Sequence, residues 1–277
     1  MIVPGVASQA VAVALARELD EPLADVEYDR FADGERLVRV RGSGDRAVVV
    51  AATTSDRAHL ELLQLQDAAG QRADEVLTVL PYMGYARQDE AFTAGEPVSA
   101  RAVARAISTG TDRVLTVNPH EPTVCEFFDV PCRAVDAAGR LAEPLGELSD
   151  PLFVSPDAGA AGLARTLRDA YGAGEADHFE KRRLSDTSVE VTPGDAATAG
   201  RDVVLVDDIV ATGASMRTAV EQLSDPGRVV VACVHPLLSG GARTRLADAG
   251  VDAVYGTDTI ERAVSEVSVA PAIADAL

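Results

Sequence analysis

Tryptophan is absent from the 277 residues, phenylalanine and tyrosine number only 6 and 5, and lysine occurs once. A chain with so few aromatics must fill its interior with valine, leucine and alanine, and at this length it has room for one large or two medium domains. No apolar run approaches the roughly 18 residues of a membrane span. The opening MIVPGVASQA lacks a basic stretch followed by a long apolar one, so we expect a soluble, cytoplasmic protein. The three cysteines, Cys125, Cys132 and Cys233, are odd in number and lack metal-ligand spacing, which favours reduced, buried thiols over disulfides. No G-x-x-x-x-G-K-[ST] sequence occurs, which disfavours a general nucleotide kinase. Gly/Ser linkers and low-complexity tracts are missing too.

Positive charge is also scarce. Lysine and arginine together number 25 against 44 acidic residues, a formal net charge of -19. Such a surface repels nucleic acid and anionic membranes, so neither is an expected partner. An acidic, lysine-poor surface suits a salt-loaded cytoplasm, where the screening length falls to about 3 Å near molar salt. This points to a halophilic source, although a base composition that favours arginine codons gives the same bias. If the ligand is a phosphate, long-range steering opposes it, and local cations or a metal must do the binding.

What the chain does contain is an alternation. Strand candidates run at 46–51 (RAVVVA), 75–80 (EVLTVL), 112–117 (DRVLTV), 151–155 (PLFVS), 202–207 (DVVLVD), 228–234 (RVVVACV) and 251–255 (VDAVY). Helical patterns lie between them at 56–69, 98–109, 158–171 and 212–223. This pitch predicts an α/β protein with mainly parallel sheets covered on both faces. Segments 36–40 (RLVRV) and 187–191 (TSVEV) alternate with period two and predict antiparallel hairpin strands. The best boundary is 136–150, with an α/β half on each side, and 257–277 is expected to be a C-terminal helix.

The most informative stretch is 203–217, VVLVDDIVATGASMR. An apolar strand ends in Asp207 and Asp208, a loop of small residues follows, and Thr212, Gly213, Ala214 and Ser215 open a helix. Amides of a tight turn at a helix N-terminus form an anion cradle, to which the hydroxyls add donors. Adjacent carboxylates would repel a bare phosphate. They make sense as acceptors for sugar hydroxyls or as holders of hydrated Mg²⁺. The bland alternative is a solvated strand end followed by an ordinary helix cap.

This stretch resembles the phosphoribosyl pyrophosphate signature shared by phosphoribosyltransferases and phosphoribosyl pyrophosphate synthetases. Further blocks resemble the synthetases in the same order: RFADGERLVRVRG (30–42), LPYMGYARQDEAFTAGEPVSA (80–100), TVNPHEPTVCEFFDVP (116–131), VSPDAGAAGLAR (154–165) and EKRRLSD (180–186). The resemblance implies two similar phosphoribosyltransferase-like domains with short antiparallel flap hairpins. Residues 1–139 would form the ATP-binding side and 140–277 the ribose 5-phosphate side. It implies transfer of a diphosphoryl group from ATP to the anomeric hydroxyl of ribose 5-phosphate, leaving AMP. Such transfers need positioning and charge neutralisation more than covalent chemistry.

Each block then acquires an implied role. The sole lysine, Lys181, would stabilise the transferring group, with Arg183 on the ribose phosphate; an ammonium is a compact point charge that a planar guanidinium does not replace. The alternative is a chance survivor in a surface basic patch. His120 and Asp157 would surround Mg²⁺ and the ATP phosphates, and Arg87, Gln88 and Asp89 would form part of the ATP site. Phe31, Asp33, Gly34 and Glu35 would hold the adenine of a neighbouring subunit, which makes the expected active unit a homo-oligomer built from dimers. Asp207, Asp208 and the segment Ala211, Thr212, Gly213, Ala214, Ser215 would bind ribose 5-phosphate.

Several positions depart from the family pattern. Asn118 stands where an aspartate is usual, Glu90 and Ala91 follow Asp89 where many members are basic, Ala211 replaces a frequent acid, and Ala214 replaces a frequent glycine. Loop 51–58 (AATTSDRA) is a weaker candidate for an anion-binding turn, and His59, His178 and His235 carry no motif support. Two other readings share parts of this pattern. A phosphoribosyltransferase would use the 203–215 turn alone, and a non-catalytic synthetase-associated paralogue would have lost the ATP and flap motifs.

Overall fold

A computed structural model of the chain describes the backbone of residues 1–185, 188–192 and 196–277, and the side chains of residues 1–180 and 196–277. The chain divides into two compact units. One contains Met1–Asp136, Asp258–Glu261 and Ser268–Leu277; the other contains Ala137–Thr257 and Arg262–Val267.

The first unit runs β1 (Ile2–Pro4), α1 (Gln9–Glu18), β2 (Asp25–Arg30), β3 (Arg36–Arg41), β4 (Arg46–Val50), α2 (Asp56–Gly70), β5 (Glu75–Leu80), α3 (Ser99–Ser108), β6 (Arg113–Val117) and β7 (Cys132–Val135). Its sheet is parallel in the order β1-β4-β5-β6-β7, while β2 and β3 form a separate antiparallel hairpin. Strands β4 and β5 are almost wholly buried, so they show as unbroken apolar runs rather than as alternation. The outer helix α2 is capped at its start, where Ala58 N–H donates to Ser55 Oγ at 3.3 Å. Its face Leu62, Leu65 and Ala69 packs into an aliphatic core with Val3, Val49, Leu80 and Ile107.

The second unit runs β8 (Leu152–Ser155), α4 (Ala161–Tyr171), β9 (Glu175–His178), β10 (Glu180–Ser185), β11 (Ser188–Thr192), β12 (Asp202–Ile209), α5 (Ala214–Glu221), β13 (Arg228–His235), α6 (Ala242–Asp248), β14 (Ala253–Thr257) and β15 (Ser265–Val267). Six parallel strands lie in the order β15-β14-β13-β12-β8-β9, and β10 and β11 pair with each other as an antiparallel ribbon. Its core is Leu152, Val154, Phe179, Val203, Leu205, Met216, Val231 and Leu246.

The expected α/β class, parallel sheets and hairpins are all present. Period two marked β3 and β11, whose expected first residue, Thr187, lies outside the described residues. The C-terminal expectation is corrected. Residues 257–277 are not one helix but strand β15 followed by the short α7 (Ala270–Ala274). Alternating β-branched residues let Val267 pair with Thr257, and Asp258 then accepts the Val269 N–H at 2.8 Å, which turns the chain back to pack α7 on α1. Among the described residues no helix is long and apolar enough to cross a membrane.

Leu205 is fully buried in β12 with β13 and β8 on either side. Leu205→Ala is expected to lower stability by about 2–5 kcal/mol, seen as an earlier midpoint in denaturant unfolding with native secondary structure retained before the transition.

Candidate active site

Parallel strands gather their loops at one edge, where ligands of such sheets collect. In the second unit this edge carries the segment that follows β12. Asp207 Oδ1 accepts the Asp208 N–H at 3.0 Å, and Asp208 Oδ1 accepts the Ile209 N–H at 2.8 Å, so each carboxylate is tied to the local backbone. Burial raises the Asp207 pKa well above the usual carboxylate range; the Asp208 charge and then the Asp157 charge raise it further. Asp157 sits in the loop after β8, where its Oδ1 accepts the Ala160 N–H at 3.3 Å. The structure therefore brings three carboxylates, Asp157, Asp207 and Asp208, into electrostatic contact at one strand edge.

Beyond them the chain makes a tight turn into α5. Gly213 has φ +76, a conformation that L side chains resist, and a Cβ there would lie 3.3 Å from Leu246 Cγ. The turn is held from below: Leu238 N–H donates to Val210 O at 2.9 Å, Ser239 N–H donates to Ala211 O at 2.8 Å, and Arg245 donates to the Thr212 carbonyl. Thr212, Ala214 and Ser215 are exposed while Gly213 is buried, so the start of α5 opens outward. The first turn of a helix has N–H groups with no intrahelical partner, and the dipole there favours an anion. Lys181 and Arg183 lie on β10, opposite Val191 and Val189 of β11. Their side chains lie outside the described residues.

In the first unit, the Phe31–Glu35 segment is the turn of the β2–β3 hairpin. Gly34 N–H donates to Phe31 O at 2.9 Å and Phe31 N–H to Glu35 O at 2.8 Å. Gly34 adopts φ +97, and Asp33 Oδ1 accepts the Glu35 N–H at 3.1 Å. Phe31 is 53% exposed and so is not a core residue. The first residue of β3, beside the turn, is fixed by the buried Glu61 of α2, which accepts from Arg36 at 2.9 Å and from the Val6 N–H at 2.8 Å. Tyr28 donates to the Pro4 carbonyl, and burial, with Glu61 adding to it, pushes its pKa to about 12.

Arg87, Gln88 and Asp89 follow β5. Arg87 is exposed, while Gln88 accepts the Ser99 hydroxyl at 2.5 Å and its N–H donates to Tyr85 O at 3.1 Å. This loop is locked to the one after β4. Gly84 N–H donates to Thr53 Oγ1 at 2.9 Å, and Tyr85, strained at φ +64, donates to the Asp56 carboxylate and lies 5.4 Å from the His59 ring. Hydrogen bonding to Asp56 raises the Tyr85 pKa, and burial lowers that of His59 against the pull of Asp56. The sequence motifs point to Arg87 and Gln88 but not to this Thr53–Gly84–Tyr85 clasp, whose one sequence signal is the run of small residues in 51–58. His120 is exposed in the loop after β6. Two residues earlier, Asn118 Nδ2 donates to Asp136 Oδ1 at 2.8 Å, so a carboxylate remains at this edge despite the missing aspartate.

The fold and these strand-edge loops define a protein of phosphoribosyltransferase-type domains in tandem. Residues 1–110 match the N-terminal domain of ribose phosphate pyrophosphokinase, and residues 133–271 match the phosphoribosyl transferase domain. The chain is 64% identical to the ribose-phosphate pyrophosphokinase of Halobacterium salinarum over the whole of both chains, and 43% identical to that of Methanosarcina mazei over 100% of this chain and 94% of the other. The crystal structure of phosphoribosylpyrophosphate synthetase from Mycobacterium smegmatis superposes with a TM-score of 0.83 at 30% identity, covering 100% of this chain and 96% of that one. The chain belongs to the ribose-phosphate pyrophosphokinase family and is an enzyme of that diphosphotransferase class. The acidic, lysine-poor composition agrees with its likeness to a Halobacterium protein.

The clasp is open to a direct test. A Cβ on Gly84 would lie 2.1 Å from the Thr53 carbonyl oxygen and 3.0 Å from His59 Nε2. Gly84→Ala is expected to destabilise by about 1–3 kcal/mol and to raise the KM for nucleotide in steady-state assays. An unchanged melting temperature and KM would show that the two loops move independently.

Proposed function

We propose that the protein transfers the diphosphoryl group of ATP to the C1 hydroxyl of ribose 5-phosphate, giving phosphoribosyl pyrophosphate and AMP for nucleotide biosynthesis. The C1 oxygen attacks the β-phosphorus, the bond from that phosphorus to the α–β bridging oxygen breaks, AMP leaves with that oxygen, and the hydroxyl proton passes to solvent. The observation that carries this reading is the β12 edge: two adjacent carboxylates beside an outward-opening helix N-terminus.

On this reading residues 140–277 take ribose 5-phosphate. Asp207 and Asp208 accept hydrogen bonds from its ring hydroxyls, and the turn Ala211–Ser215 cradles its phosphate, with Ala211 contributing backbone only. Residues 1–139 take ATP through Arg87, Gln88, Asp89 and His120. The exposed Phe31 turn, with Asp33, Gly34 and Glu35, grips the adenine of a neighbouring subunit, which makes a dimer the smallest active unit. Lys181 and Arg183 supply positive charge to the transferring group and the ribose phosphate. We place the enzyme in the cytoplasm, with neither nucleic acid nor membrane as partner.

Mg²⁺ fits the residues present. The Asp157, Asp207 and Asp208 carboxylates at the β8 and β12 edges, where burial and the charges of the other two raise the Asp207 pKa, are hard oxygen donors of the kind a divalent cation takes. Among the described residues no three side chains, those of Asp157, Asp207 and Asp208 included, are placed to hold one ion by themselves, which suits an ion held by one or two protein ligands together with water and substrate phosphates. His120 and Asp157 would hold it, and it would neutralise the charge of the ATP phosphates.

The deciding measurement is AMP release from ATP with ribose 5-phosphate and Mg²⁺ in high salt. Lys181→Ala is expected to lower kcat by about 10³-fold with the fold intact, and Lys181→Arg is expected to recover little, because the planar fork does not reproduce a point charge. Asp208→Asn is expected to raise the KM for ribose 5-phosphate more than that for ATP. A Lys181→Ala enzyme at near-normal rate would remove the proposed mechanism, and an inactive wild type would turn the reading toward a transferase or a non-catalytic paralogue.

A further inference from the structure

Cys125 lies in a 3₁₀ turn over Pro122–Phe127 and Cys132 opens β7, so the chain between them leaves the His120 loop and rejoins the sheet. The Cys132 thiol donates to Cys125 Sγ at 2.8 Å. Both residues are half-buried, unlike Cys233, which is wholly enclosed in β13; all three are reduced. The expectation of buried thiols thus holds only for Cys233. The pair is fixed in place: Val124 and Phe128 are buried beside it, and the Asp129 N–H donates to Ser108 Oγ at 3.0 Å.

A disulfide has its sulfurs about 2.05 Å apart, so closure needs a movement of less than about 1 Å from the observed contact. The two thiols are also unequal. The hydrogen bond from Cys132 lowers the Cys125 pKa against the effect of burial, and the same bond, with burial, raises that of Cys132. That asymmetry suits one attacking and one resolving thiol. Burial raises the pKa of Cys233 and leaves it inert.

We propose that Cys125 and Cys132 form a reversible oxidation site that restrains the segment following His120, with a low-molecular-weight disulfide as oxidant. The Cys125 thiolate attacks one sulfur of the oxidant, giving a mixed disulfide and one released thiolate. Cys132 loses its proton to solvent and attacks Cys125 Sγ, expelling the second thiolate. Two cysteine thiols are oxidised to one disulfide, and one oxidant disulfide is reduced to two thiols.

The test treats the reductant-free full-length enzyme with oxidised glutathione in high salt. Thiols titrated after denaturation should fall from three to one. The intact mass should drop by two hydrogens, cleavage after Glu126 should leave the two halves of 125–132 joined, and dithiothreitol should reverse all of this. Cys132→Ser should instead accumulate the glutathione adduct on Cys125. Amide exchange across 121–131 should slow in the oxidised wild type. Retention of three thiols, or a stable glutathione adduct without the internal bond, would overturn the site. A cross-link that leaves exchange unchanged would overturn the restraint.

Discussion

The Asp207 carboxylate is the point on which the second unit turns. It follows the buried run 203–206 near the end of β12, and its pKa is raised by burial and by two like charges. A protein interior does not hold such a group without compensation. Part of the compensation is local, since the backbone amides of Asp208 and Ile209 donate to the two aspartates in turn. On the proposed function the remainder falls to a bound cation or to sugar hydroxyls. The core beneath it, Val203, Leu205 and Val231, supplies the stability that lets the edge bear that unfavourable arrangement.

The first unit meets its own loop problem differently. Its strand ends carry no comparable cluster of acids. They are joined by close backbone approach, with Gly84 against the Thr53 carbonyl and Tyr85 held in a strained conformation by Asp56. Rigidity at the loop base leaves Arg87 projecting into solvent from a fixed root. The hairpin follows the same logic, because Glu61 holds Arg36, the first residue of β3, while the turn beside it stays exposed. In both places a buried polar contact sets the direction of an exposed group that has no packing of its own.

Much of this was legible in the sequence, and the reasons are physical. Strands such as β5 and β12 bury apolar side chains on both faces, so they leave unbroken runs of valine and leucine. The β12–α5 turn was legible because carboxylates, small residues and a left-handed glycine must follow one another in fixed order. The clasp was not, since it joins residues about thirty positions apart and depends on the absence of a Cβ at Gly84, which no local pattern reveals. Nor was the end of the chain: β15 has only three residues, and its pairing with β14 is a tertiary choice that a string of valines and serines does not announce. The Cys125–Cys132 contact escaped for a similar reason, because a spacing of seven matches no ligand motif and only the 3₁₀ turn brings the sulfurs together.

Charge ties the two units to their surroundings. A formal charge of -19 repels the anionic substrates proposed here at low salt and at long range. Near molar salt the screening length is about 3 Å, shorter than the reach of one arginine, and the global field no longer matters to a substrate at the strand edge. On the proposed function, what then decides binding is the short-range inventory: a helix N-terminus, two aspartates, and the cations of β10 and of the loop after β5. Under those conditions the acidic exterior is free to serve solubility without opposing an anion at short range. On the proposed function one lysine among 24 arginines then has a physical meaning, because only contacts made within the screening length distinguish the two side chains.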